Sequence, residues 1–191
     1  MGVTDDTELN RLAVGDDNER MPIAAHPVPR EVLPPQFDLQ DTDAFTLLPS
    51  RAALLGRIAE RTPSTEEFPA ALVLVGLLHR ASGWLMPGSQ LVQVAAALSA
   101  NVRGDDWLAR SGATEFAILF NSTAQDAETA ANRLIEVVAG AGVPGLTACA
   151  GIAALSPDAS ATEVHRRATL CLTTALSVGG GRVLRYRGAR R

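Results

Sequence analysis

The strongest constraint on the fold is the uninterrupted apolar run Ala70-Ala-Leu-Val-Leu-Val-Gly-Leu-Leu78. A run this short, without polar alternation, suits a strand covered on both faces. Such a strand needs a layer of helices above and below it, and the rest of the sequence supplies them. Pro49-Ser50 opens a helix from Arg51 to about Arg61, with Leu54, Leu55 and Ile58 on one face. Pro87-Gly88 precedes a helix from about Ser89 to Asn101, with Leu91, Val92, Val94, Ala95 and Leu98 inward. Ser122-Thr123 caps a helix over 124–139, which the glycine-rich 140–145 stretch ends. A last helix begins at Ser160 or Thr162, runs to about Ser177 and stops at Gly179-Gly180-Gly181. Between the helices, Trp107–Arg110 and Glu115–Asn121 predict a hairpin around Ser111–Thr114. Leu146–Ala153 predicts a second buried strand and Arg182–Tyr186 an edge strand. The order predicts an α/β (α+β) sandwich, a mostly antiparallel central sheet surrounded by helices.

Residues 1–38 read differently. Pro22, Pro27, Pro29, Pro34 and Pro35 stand among many acids with no periodic apolar face, which predicts a flexible leader too short for a sensor domain. The ordered domain is expected over 39–187, with a basic tail at 188–191. Arg187–Arg191 is the one basic block, and the net charge is −4, which argues against a nucleic-acid partner. The run from Phe68 to Leu78 is too short to span a bilayer, and the acidic N-terminus is no secretory signal. A cytoplasmic protein without membrane contact is expected. All 17 cationic side chains are arginine, so no lysine is present to grip a phosphate as a point charge. Cys149 and Cys171 match no metal spacing and read as small core residues. His26, His79 and His165 form no cluster, and no Ser-His-Asp set or phosphate-cradling glycine loop is present. No metal and no cofactor is expected.

Several segments nevertheless stand in a telling order. Asp43-Ala44-Phe45-Thr46-Leu47-Leu48-Pro49-Ser50-Arg51 resembles the Asp-x-Leu-Thr-Gly-Leu-Pro-Asn-Arg signature of GGDEF domains, the diguanylate cyclase family. Arg110-Ser111-Gly112-Ala113-Thr114-Glu115-Phe116 resembles that family's Arg-x-Gly-Gly-Asp/Glu-Glu-Phe hairpin, and Ala117-Ile118-Leu119 continues it. Leu146–Ala153 is similar to the family strand written Thr-Val-Ser-Ile-Gly, and Arg167–Leu172, Gly179 and Arg182-Val183 to its closing helix and strand. The resemblance covers about Asp43 to Tyr186 and implies a nucleotide-cyclase-like fold.

It also implies which positions should carry chemistry. Family members join two GTP molecules, and phosphoryl transfer of this kind depends on metal ions and positioned cations. By this resemblance the two strand-end aspartates fall on Gly76 and Leu78, and the phosphate-binding lysine that follows falls on Ala81, after Arg80. The guanine-binding residues are not recognisable in 81–88, a stretch shorter than the family's. In the hairpin, Thr114 stands at an acidic position and Ala113 at the second glycine, while Glu115 is kept. The closing-helix lysine is Leu176. Metal, base and phosphate positions are altered together while framework positions are kept, so a catalytically inactive domain, not an enzyme, is expected.

One motif remains. Many family members bind their product, cyclic di-GMP, through Arg-x-x-Asp before the hairpin, and Arg103-Gly104-Asp105-Asp106 has that pattern at the family offset from Gly112. A guanidinium forks onto phosphate, and a carboxylate accepts from guanine's N–H groups. The expectation is a cyclic di-GMP receptor through Arg103 and Asp106. The alternative is a nucleotide-independent interaction module that pairs with itself or another signalling protein, as the family's dimeric cyclases imply. For that alternative, the leader and the helix bearing Arg166, Arg167, Thr169, Thr173 and Thr174 are candidate contact surfaces.

Overall fold

The computed structural model describes residues 41–79 and 86–188. The leader, Arg80-Ala81, most of the shortened loop and the final arginines lie outside them. Helix α1 spans Arg51–Arg61, β1 Ala71–His79, α2 Gly88–Ser99, β2 Trp107–Gly112 and β3 Glu115–Phe120. Then come α3 Ala124–Ala139, β4 Leu146–Ala154, α4 Ala161–Val178 and β5 Val183–Arg185. The strands form one sheet in the order β2-β3-β1-β4-β5. The apolar run is the middle strand, antiparallel to β3 and β4. β5 lies parallel to β4.

The alternation of β1 decides the two cores. Val73, Val75 and Leu77 face one side, under α2 (Leu91, Val94, Leu98) and α3 (Leu134, Val138). Leu72 and Leu74 face the other, under α1 (Leu54, Ile58) and α4 (Val164, Ala168, Leu172). Each fully buried Leu or Ile side chain is worth about 1.5–3 kcal/mol, so both faces are held strongly. Two caps act where the sequence places them: Thr123 Oγ1 accepts from the Asp126 N–H, and Ser160 Oγ from that of Glu163. Gly151 lets α4 press onto β4; a Cβ there would lie 2.2 Å from the Ala168 carbonyl oxygen.

Several boundaries differ from the sequence reading by one or two residues, among them the following. β2 continues to Gly112, leaving Ala113-Thr114 as a two-residue hairpin tip. α2 stops at Ser99, where the chain turns toward Arg103. The expected edge strand over 182–186 shrinks to Val183–Arg185.

Candidate functional site

Two places on the fold carry the residues singled out by sequence. At the signature hairpin, the ladder between β2 and β3 slips between Arg110 and Gly112, a bulge that re-aims side chains. Arg110 is nearly enclosed, with a side chain 8 % exposed, and all its donor nitrogens are engaged. Nη1 lies 2.8 Å from both carboxylate oxygens of Asp43, Nε donates to the Gly112 carbonyl at 3.1 Å and Nη2 to that of Ala113 at 2.8 Å. Thr46 donates to Asp43 Oδ1 from both its N–H (2.8 Å) and its hydroxyl (2.7 Å). Burial alone would raise the Asp43 pKa, but the hydrogen bonds from Arg110 and Thr46 and the guanidinium charge outweigh it and hold it below the usual carboxylate range. The first signature segment is thus bolted to the second, and the Arg110 N–H adds a backbone bond to the Pro49 carbonyl.

What the hairpin offers to a ligand is sparse. Glu115 lies opposite Gly76 in the ladder and accepts a 2.6 Å hydrogen bond from the Ser111 hydroxyl. Thr114 and Ala113 are exposed at the tip, and the Thr114 carbonyl accepts from the Leu77 N–H. Phe116 is fully buried. Gly76 is buried beneath α4: a Cβ placed on it would meet a Leu172 methyl at 2.9 Å. The space a strand-end carboxylate would enter is thus bordered by leucine. No group of three or more His, Cys, Asp or Glu among the described residues is arranged to hold a metal ion. His79 is held by the Pro144 carbonyl at 3.0 Å. A cavity of about 420 Å³ beside the tip is lined by Phe45, Met86, Pro87, Leu91 and Arg110, with little polar chemistry.

The second place is at the opposite end of β2. Arg103 and Asp106 bracket a tight turn closed by the Asp106 N–H to the Arg103 carbonyl, 3.1 Å. Both line a cavity of about 200 Å³ together with Asn121, Asp126, Thr129 and Arg133. Arg103 is exposed. Asp106 Oδ1 accepts from the Asn121 N–H at 3.1 Å, whereas Oδ2 is buried without a hydrogen-bond partner among the described residues. Burial, then the neighbouring Asp105 charge, raises the Asp106 pKa, against the Asn121 N–H and the Arg103 charge. Sequence reasoning missed Arg133, an α3 residue that brings a second guanidinium to this cavity; nothing local in the sequence marks it. The candidate contact surface on α4 is partly self-satisfied: Arg166 and Arg167 both pair with Glu163, whose pKa falls to about 2 through those hydrogen bonds.

Residues 40–182 match the family described as diguanylate cyclase, GGDEF domain. No curated protein sequence matches the chain. Among solved structures, the GGDEF domain of DgcB from Caulobacter crescentus in complex with c-di-GMP is similar at 22 % identity and a TM-score of 0.67, over 78 % of this chain and 96 % of that one. The FimX GGDEF domain from Pseudomonas aeruginosa is similar at 26 % identity and a TM-score of 0.64, over 75 % of this chain and 98 % of that one. Diguanylate cyclase SiaD from the same organism, in complex with its activator SiaC, is similar at 23 % identity and a TM-score of 0.67, over 75 % of this chain and 61 % of that one. No helix among the described residues is long and apolar enough to cross a membrane.

Proposed function

The chain belongs to the diguanylate cyclase GGDEF-domain family, and from that premise we propose that it is a noncatalytic member that binds cyclic di-GMP through Arg103 and Asp106. The observation that carries the reading is the cavity that joins these two residues to Arg133. Two guanidinium groups give forked donors for phosphate or for guanine acceptors, and the orphan oxygen of Asp106 gives an acceptor for a guanine N–H. At about 200 Å³ the cavity is smaller than a pocket for a whole drug-sized ligand, so it takes one base or phosphate while the rest of the dinucleotide lies over exposed Arg103.

Loss of catalysis is supported at the hairpin. Glycine and leucine stand at the two strand-end acid positions, Leu172 borders the first, and threonine stands at the hairpin's acidic position. Glu115, bound to Ser111, is a single carboxylate where magnesium needs several hard oxygen ligands. Arg110 spends its donors on Asp43 and the hairpin backbone, so it is a positioning residue and not a phosphate clamp.

A second reading, a protein-interaction module, draws on one observation. Phe45 and Leu47 protrude from the first signature turn, 64 % and 77 % exposed. Two assays separate the readings. Incubation with GTP and magnesium or manganese, followed by chromatography, is expected to give no cyclic di-GMP; steady production would overturn the noncatalytic assignment. Titration with cyclic di-GMP is expected to show saturable binding that Arg103→Ala abolishes; no binding would leave protein contact as the function.

A further inference from the structure

Asn121 directly follows β3 and sends three contacts toward one place. Its N–H donates to Asp106 Oδ1, its side-chain amide donates to the Asp105 carbonyl, and its amide oxygen accepts from Arg61 Nε at 3.1 Å. Arg61 is itself anchored, donating to Ser64 Oγ at 2.6 Å and to the Phe68 carbonyl at 3.1 Å. The Arg103–Asp106 turn is thereby stitched to the end of α1.

The turn needs such a stitch. Gly104 sits in open space, with nothing within 4 Å of where its Cβ would stand, so packing does not hold the turn at its middle. One backbone hydrogen bond closes it from within. An unsupported turn of this kind would leave Arg103 and Asp106 free to part, and a binding group that must first be ordered loses affinity by the cost of ordering it. We propose that Asn121 is a positioning residue of the cyclic di-GMP site: its side-chain amide, backed by Arg61, clamps the Asp105 carbonyl so that Arg103 and Asp106 face the ligand together. This inference rests on the receptor reading above.

The test is calorimetric titration of the full chain with cyclic di-GMP, using unaltered protein, Asn121→Ala and Asn121→Asp, each checked for folding by thermal melting. Asn121→Ala keeps the backbone N–H to Asp106 but releases Asp105 and Arg61. It is expected to bind about threefold to tenfold more weakly, the effect of one net hydrogen bond. Asn121→Asp keeps an acceptor for Arg61 but has no donor for the Asp105 carbonyl near neutral pH and adds a charge that opposes the ligand's phosphates, so it is expected to bind at least as weakly as Asn121→Ala. As pH falls toward the ordinary carboxylate range of about 4, the introduced carboxyl, favoured as the acid by Asp105 and Asp106 and opposed by the Arg61 guanidinium, takes up a proton and regains an O–H donor. The affinity of Asn121→Asp relative to Asn121→Ala at the same pH is then expected to rise. Arg61, Arg103, Arg133, Asp105, Asp106 and Asp126 face this place in both variants, so that ratio reports chiefly the introduced carboxyl. A general loss of stability would not produce acid rescue in one variant alone. Equal affinity of unaltered protein and Asn121→Ala, or no acid rescue, overturns the role of Asn121 and leaves the receptor reading standing. No binding by unaltered protein overturns both. Should Asn121→Ala fail to fold, the acid response of Asn121→Asp against unaltered protein decides the matter alone.

Discussion

Leu47 is held at φ 56° in the turn that joins Asp43 to Pro49, the one described non-glycine residue in the left-handed region. The family signature has glycine there. For an L-residue with a Cβ, that conformation costs roughly 1–2 kcal/mol. The leucine recovers little by packing, since it is 77 % exposed. Leu47→Gly removes the strain but returns freedom to the unfolded chain, a loss of about 0.4–1 kcal/mol. The difference predicts a net gain of about 0.5–1 kcal/mol, or about 1–4 °C in Tm for a domain of this size. Leu47→Val, branched at Cβ, is expected to move the other way. Urea and thermal melts of the three proteins give the answer. A Leu47→Gly protein less stable than the unaltered one would refute the reasoning and mean that the leucine makes a stabilising contact in solution.

Three further predictions follow from the same geometry. Asp106→Asn is expected to raise the urea midpoint slightly at neutral pH while abolishing cyclic di-GMP binding. The folded-state pKa of Asp106 is raised, so its contribution to stability is present at low pH and lost as pH rises through that value; an unchanged or lower midpoint would contradict this. Asp43 has the opposite sign: its lowered pKa contributes stability above about pH 4 that is lost on further acidification, so the acid limb of a stability–pH profile should flatten in Asp43→Asn. Gly76→Asp would place a carboxylate against the Leu172 methyl without a donor, at a cost of about 1–3 kcal/mol; magnesium is expected not to restore the loss, and a metal-dependent rise in Tm would show that the family's site can be rebuilt by one residue.

Much of the scaffold was legible because it rests on local signals. The run at 70–78 stands between Pro69 and His79-Arg80, and Thr123 and Ser160 are caps that act on residues three positions ahead. The parallel docking of β5 depends on α4 crossing the sheet, which no short segment announces. At the candidate sites, the pattern Arg103-x-x-Asp106 could be read, but not its surroundings. Arg133 arrives from α3, and Asn121 looks like an ordinary residue after a strand. The pairing of Arg110 with Asp43 spans 67 positions. Its two ends were visible as parts of separate signatures, yet only the folded chain shows that one signature positions the other. Gly76 also gains meaning in three dimensions. In sequence it is one glycine in an apolar run, whereas in the fold a Cβ on it would meet a Leu172 methyl at 2.9 Å.

The most direct test of the receptor assignment is isothermal titration of the full chain with cyclic di-GMP beside Arg103→Ala. Saturable micromolar or tighter binding, lost in Arg103→Ala while its melting curve stays unchanged, is the predicted result. No heat and no shift in Tm at saturating nucleotide, or equal binding by the two proteins, would contradict it.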